Sequence, residues 1–309
     1  MENFKYLLPE ESGEMSVDEV KKLRKMENRL RELFDEKNYQ EMMPPNFEYT
    51  DLYRKIGFNQ EKMFQFINHE GKSIALRYDF TIPLVRTFAL SKSSESTRYS
   101  YFGKIYRKEK RHKGRRTESY QIGVELLGEN PVKSDQECGK LLVETIESLN
   151  LTNTIIEISS AAFYNRLIEL AGSEIIDIYK KKNLTTLKKF VEQSEFDDNF
   201  KELLLKLPVS SDLSDVEDSQ LQKALEEVKT ILNVLPKAQN VSIDLTKKPT
   251  MSYYTGTMFE VYEPSVANPI ISGGRYDELL EFFDQGNRSA IGFCCHMDNL
   301  LKIDERSEK

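Results

Sequence analysis

Apolar residues recur at helical spacing through Val20, Leu23, Leu30, Leu33 and Phe34, which predicts a helix with one apolar face after Ser16. Ser16-Val17-Asp18-Glu19 reads as its capping box, hydroxyl and carboxylate each satisfying an orphan amide. Met42-Met43-Pro44-Pro45 stops a helix and favours an extended path. From Phe64 to Arg86 short alternating runs and turns predict strands, with a turn at His69-Glu70-Gly71-Lys72. Two more strand candidates follow, the aromatic-rich Tyr99–Arg107 and the alternating Glu118–Leu127. An antiparallel pair joined by a long loop is their simplest arrangement. Ser134-Asp135-Gln136-Glu137 reads as a second capping box, ahead of Leu141, Leu142, Val143, Ile146 and Leu149. A short β-branched run ends this part at Ser159.

The pattern changes at Ala161. From there to about Pro236 it is helical and charged, with Phe163, Leu167, Ile168 and Leu170, then Leu221, Leu225, Val228, Ile231 and Leu232 at three- and four-residue spacing. Strand-like text resumes at Val241–Leu245 and continues through Tyr253–Tyr262, Ile270–Ser272 and Ala290–Phe293, with a short final helix. The expected class is α+β, a mixed sheet flanked by helices. The expected division is a core over 1–160 and 237–309, with 161–236 inserted as a helical subdomain.

Composition narrows the class of function. The chain has 309 residues, 31% charged and 39% hydrophobic, with a formal charge of −7. That is a globular composition, and no uncharged apolar run approaches the ~20 residues of a membrane helix. Met1-Glu2-Asn3-Phe4-Lys5 lacks the basic-then-apolar order of a signal peptide, so a cytoplasmic location and no membrane partner are expected. Cys138, Cys294 and Cys295 form neither a disulfide framework nor the usual zinc spacing. His69, His112 and His296 are scattered, so surface or core positions are expected for each and no metal site or nucleophilic triad. No dinucleotide or P-loop fingerprint occurs, and no cofactor is implied. The acidic balance argues against general nucleic-acid binding.

Four clusters carry candidate chemistry. Six of the nine residues from Lys108 to Arg116 are Lys or Arg, in an acidic protein. Such a loop binds phosphate through Arg111, Arg115 or Arg116, with Arg107 at its base, or is a solvated hairpin tip. Asp79 and Thr81 fall on one side of an extended segment and together suit an ammonium group, although such a pair by itself reads equally as a turn contact. Gln121, Gly123 and Glu125 share one strand face, where a small polar ligand fits over the glycine unless the face is a plain exposed edge. Tyr253-Tyr254-Thr255-Gly256-Thr257 and Ser272-Gly273-Gly274-Arg275-Tyr276-Asp277 set glycines beside tyrosines, allowing a ligand close to the backbone with rings above it, or simply a hairpin with packed aromatics.

Taken in order, these segments resemble the catalytic core of histidyl-tRNA synthetase, a class II synthetase fold, over nearly the whole chain. Arg107-Lys108-Glu109 and the loop to Arg116 look like class II motif 2, and the two tyrosine–glycine segments look like the histidine-specific segments. The chain departs from that family at two arginines. Pro249 occupies the place of the arginine that precedes the tyrosine pair, and Asn299 that of the motif 3 arginine that holds ATP phosphates. Neither supplies the lost positive charge. The sequence stops at Lys309, soon after motif 3, so no anticodon-binding domain and no tRNA partner are expected.

A synthetase core with those losses is similar to the regulatory subunits of ATP phosphoribosyltransferase, a paralogous family. The resemblance implies a noncatalytic chain that partners the short catalytic subunit at the first step of histidine biosynthesis. It implies a hetero-oligomer containing a dimer of this chain, with histidine as ligand. By motif position Asp79 and Thr81 meet the α-amino group, Gln121 and Glu125 line the pocket, and Tyr254 and Tyr276, beside Tyr253, close over the ligand. Arg107 faces its carboxylate or a phosphate. Asp79 stands where synthetases have glutamate, a shorter reach. The competing reading is a truncated synthetase-like enzyme that activates histidine with ATP, and RNA binding through the 108–116 loop is a third.

Overall fold

The computed structural model describes residues 4–9, 12–108, 116–207 and 216–303. Helix α1 (Val17–Glu36) starts at its capping box: the Ser16 hydroxyl accepts from the Glu19 N–H, and the Glu19 carboxylate accepts the Ser16 N–H. Its apolar face buries Leu23, Leu30 and Phe34. Strand β1 (Gln40–Glu41) precedes the two prolines, and β2 (Phe47–Tyr49) and α2 (Thr50–Lys55) follow them. Strands β3 (Gln65–Ile67) and β4 (Ser73–Leu76) form a hairpin at the expected turn, where Gly71 takes a φ of +76°.

The expected strand character stops at Leu76. Residues Thr81–Ser91 are a helix, α3. The Asp79 carboxylate accepts the Ile82 N–H at 3.2 Å, and Pro83 lies in the first turn, where its missing N–H has no intrahelical partner to lose. Thr81 therefore opens a helix and is not extended.

Strands β5 (Thr97–Tyr106) and β6 (Glu118–Leu127) form the expected antiparallel pair. Helix α4 (Pro131–Ser148) corrects the second capping box. It begins a turn before Ser134, because Asn130 accepts from the Val132 and Lys133 N–H groups and Pro131 fits the first helical position. Ser134 and Asp135 lie buried inside it.

After β7 (Ile155–Ser160) come α5 (Ala161–Ala171), α6 (Glu174–Lys180), α7 (Leu184–Glu192), α8 (Asp198–Lys206) and α9 (Ser219–Leu232). Then follow β8 (Asn240–Ile243), β9 (Thr257–Tyr262), β10 (Ile271–Arg275), α10 (Asp277–Phe282), β11 (Ala290–His296) and α11 (Met297–Leu300). Among the described residues eight strands form one sheet in the order β1-β5-β6-β11-β10-β9-β7-β8, and β2-β4-β3 form a small antiparallel sheet. The β1–β5 and β7–β8 pairs are parallel and the other pairs of the large sheet antiparallel.

Alternation along the central strands divides the core. Ile122, Val124 and Leu126, with Ile156, Ile158, Phe259 and Phe293, face a layer made by α1, α4 and the helices of 161–232, and Leu167, Ile175, Leu221 and Val228 join the same buried cluster. A second cluster, containing Tyr53, Tyr78, Phe80, Tyr101, Tyr253 and Tyr276, covers part of the opposite face. No helix among the described residues is long and apolar enough to cross a membrane.

Candidate functional site

The second face of the sheet carries a cleft of about 650 Å³. Cross-strand register builds its floor. Tyr101, Gly123, Cys294, Ser272, Glu260 and Glu157 lie in one row from β5 to β7, so all six share that face. Gln121 and His296 pair in one neighbouring row, and Glu125, Gly292 and Gly274 in the other. The loop before α3 supplies Asp79, the first residue of α3 is Thr81, and the segments beside β9 and β10 supply Tyr253, Tyr254 and Tyr276. Asp79, Thr81, Arg107, Gln121, Glu125, Tyr253, Tyr254 and Tyr276 thus line one cleft, and Arg116 lines it as well. Arg111 and Arg115 fall outside the described residues.

Two carboxylates dominate one end. Glu125 accepts from the Thr81 hydroxyl at 2.7 Å and from the Tyr276 hydroxyl. Asp79 accepts from the Tyr253 hydroxyl at 2.8 Å and from the Ile82 N–H. Both are buried, and neither forms an ion pair among the described residues. Burial pushes Glu125 up to about 8, against the pull of its Tyr276 and Thr81 hydrogen bonds and reinforced by the Asp79 charge. Asp79 is also raised by burial, with the Tyr253 hydroxyl and the Arg107 charge opposing. The Tyr253 ring meets those of Tyr254 and Tyr276 edge-on, with centroids 5.4 and 5.7 Å away. A carboxylate pair walled by aromatic rings suits a ligand that carries its own cation. Arg107 stands beside this end, its guanidinium 4.5 Å from the Tyr78 ring centroid and its Nε donating to the Tyr78 carbonyl at 3.1 Å.

The other end is lined by Arg116, Asn268, Asp298 and Asn299. Asn299 donates its amide to the Pro269 carbonyl at 2.8 Å. Arg116 lies 3.9 Å from the Asp298 carboxylate. Lys247, two residues before Pro249, is held by Glu157, Glu260 and the Tyr262 hydroxyl. It therefore offers no free charge to the cleft.

The glycines do not do what their spacing suggests. Space above Gly123 is taken by Tyr101, because a Cβ there would strike the Tyr101 hydroxyl and the Phe293 carbonyl. A Cβ at Gly292 would strike the Glu125 carboxylate, one at Gly256 the Arg275 stem, and one at Gly273 the neighbouring strand. These positions let protein groups approach one another, while the ligand space lies beside them. Cys294 and His296 escape detection in the sequence, since adjacent cysteines and a lone histidine carry no spacing signal. His296 Nε2 lies 2.8 Å from the Ser272 hydroxyl, and burial pushes the Cys294 thiol up to about 12. Among the described residues no three His, Cys, Asp or Glu side chains are grouped to hold a metal ion.

The model of the histidyl-tRNA synthetase family matches residues 12–300. An ATP phosphoribosyltransferase regulatory subunit from Lactococcus lactis subsp. cremoris (strain MG1363) is 53% identical, with 98% of each chain covered. One from Listeria monocytogenes serovar 1/2a is 28% identical over 97% of this chain and 80% of its own. A solved structure described as an ATP phosphoribosyltransferase regulatory subunit/histidyl-tRNA synthetase, from Bacillus halodurans, matches with a TM-score of 0.84 at 24% identity, over 97% of this chain and 84% of that one. Apo histidyl-tRNA synthetase from S. aureus matches with a TM-score of 0.65 at 23% identity, over 98% and 75%. The fold is therefore the class II synthetase-like one, and the chain belongs to the histidyl-tRNA synthetase family and, within it, to the ATP phosphoribosyltransferase regulatory subunits.

Proposed function

We propose that this chain is noncatalytic, pairs in the cytoplasm with the short catalytic subunit of ATP phosphoribosyltransferase, is required for that subunit's activity, and carries histidine feedback through its cleft. The observation that carries this reading is the pair of buried carboxylates, Asp79 and Glu125, set among tyrosines and bonded, among the described residues, only to uncharged donors. Histidine matches that arrangement at both ends. Its α-ammonium group goes to Asp79 and Thr81, its imidazole N–H to Glu125, and its carboxylate towards Arg107, with Gln121 at the floor and the tyrosines above. Asn299 is a neutral amide and Lys247 is engaged by two glutamates, so neither offers a free cation to a phosphoryl-transfer transition state, which favours a binding role over histidine activation.

The division into a core of 1–160 and 237–309 with an inserted 161–236 belongs to this reading, as does self-association within a hetero-oligomer. Phe47, Tyr49 and Phe66, half exposed on the outer face of the small sheet, support a contact with a second copy.

The test mixes the purified chain with the catalytic subunit. Phosphoribosyl transfer that appears only on mixing, falls with added histidine, and accompanies a measured complex mass supports the reading. A catalytic subunit that is fully active alone and indifferent to this chain overturns it. Histidine-dependent pyrophosphate exchange with ATP by this chain alone would establish the enzymatic alternative instead.

A further inference from the structure

Arg275 and Tyr276 are neighbours at the end of β10, and successive side chains there point to opposite faces of the sheet. Tyr276 enters the cleft and donates to Glu125. Arg275 enters the helix layer, where it is 3% exposed. Its Nη2 donates to the Asp135 carboxylate at 2.5 Å, the Ser134 hydroxyl at 2.9 Å and the Pro131 carbonyl at 2.8 Å, all at the start of α4. Its Nη1 donates to Asp277 at 3.0 Å, the first residue of α10. Its backbone carbonyl accepts the Thr255 N–H at 2.9 Å, which fixes the turn carrying Tyr253 and Tyr254. One side chain and its own peptide therefore touch the three tyrosines' supports and two helices.

We propose that Arg275 is a positioning residue that couples occupancy of the tyrosine–carboxylate pocket to α4 and, through it, to α9. The proposal rests on the cleft being the ligand site. An imidazole N–H donated to Glu125 adds a further donor to the carboxylate that Tyr276 already bonds, so Tyr276 shifts when the pocket fills. Arg275 moves with it along the same backbone. The guanidinium does not move alone, because Asp135 is 2% exposed and would be left as an unpaired charge in a dry site. Arg275 Nε is buried with no hydrogen-bond partner among the described residues, so the clamp has an arrangement to gain by shifting. Helix α4 in turn meets the end of α9 and the residues just after it: a Cβ at Gly139 would lie 3.6 Å from Ile231 Cγ2 and 2.7 Å from Val234 Cγ2. Such tightly packed contacts pass on a displacement and do not absorb it.

The test uses the complex with the catalytic subunit and two readings, histidine Kd by calorimetry and histidine Ki for phosphoribosyl transfer. Asp135→Asn is expected to change Kd by less than about threefold and to raise Ki at least about tenfold, a loss of coupling between two sites. Ser134→Ala, a milder loss of one acceptor, is expected to raise the Ki/Kd ratio about threefold and serves if Asp135→Asn does not fold. A lowered Tm with an unchanged Ki/Kd ratio in both variants overturns the coupling role and leaves the ligand site standing. Absence of histidine binding to the unmodified complex overturns the ligand site itself.

Discussion

Two pairs of carboxylates face the same side of the large sheet and are neutralised differently. Glu157 and Glu260, partners across β7 and β9, share the Lys247 ammonium, with the Tyr262 hydroxyl completing the group. Burial works against the charged lysine there, yet its hydrogen bonds to Glu157, Glu260 and Tyr262 outweigh that and raise its pKa. Asp79 and Glu125 receive hydroxyls and one backbone amide, and burial raises both. The two sites share a sheet face and differ in one cation. The first pair is complete within the chain. The second has no cation at ion-pair distance among the described residues, and burial favours its protonated form, which suits a binding site for a ligand that brings its own positive charge.

That contrast can be broken experimentally, and the largest expected effect is on the open pair. Glu125→Gln keeps the shape and removes the charge. Histidine affinity should fall by roughly 100-fold, about 3 kcal/mol for a charge-assisted hydrogen bond in a buried site. Calorimetry measures this, and an affinity within threefold of the parent would remove Glu125 from the ligand site. On the closed pair, Lys247→Met leaves two carboxylates facing each other. It should lower stability by about 2–3 kcal/mol, under the fully buried figure because the lysine side chain keeps a fifth of its surface in water. Denaturant unfolding gives that number. Histidine affinity should barely change, and a large loss there would merge the two pairs into one site.

The next effect is on pH. Glu125 has a folded value of about 8 against an ordinary 4.5, so the folded chain holds its proton more tightly than the unfolded chain. The associated stability is fully present below about 4.5 and is lost as pH rises through about 8. Unfolding of the ligand-free chain should show that decline, and Glu125→Gln should flatten it. Binding of a cation reverses the preference and releases close to one proton near pH 7. Affinity for a ligand of fixed charge should rise up to about tenfold per pH unit and level off above about 8. Calorimetry in buffers of different ionisation enthalpy counts the proton, and a count of zero would contradict the open-pair description. The smallest effect is expected from Tyr253→Phe, which removes one hydroxyl from Asp79 and should weaken binding about fivefold, near 1 kcal/mol.

Much of the fold is legible in the linear pattern because it comes from local periodicity. The α1 cap, the β3–β4 turn at Gly71, the long β5–β6 pair and the helical run after Ala161 all follow from residue type and spacing. Two local expectations fail for local reasons that a pattern of apolar residues does not weigh. Pro83 looks like a strand punctuation mark but sits in the first turn of α3, and Asn130 with Pro131 outcompetes Ser134 as a helix start. The candidate site divides along the same line. Its carboxylates and tyrosines are visible as short motifs. Cys294 and His296 become wall residues only through register with Gly123 and Gln121.

By itself, the sequence determined the α+β class, the helix and strand punctuation, and the chemical inventory: Asp79, Glu125 and the tyrosines. Those are properties of residue type and short spacing. Only the tertiary structure decided which groups meet. It joined Asp79 on a loop to Tyr253 and Glu125 on β6 to Tyr276, gave Lys247 to Glu157 and Glu260, and filled the space over Gly123 with Tyr101. Those pairings span up to 174 positions of chain. They depend on strand register and burial, which no short window of sequence contains, and burial then raised the proton affinity of two ordinary carboxylates in one cleft.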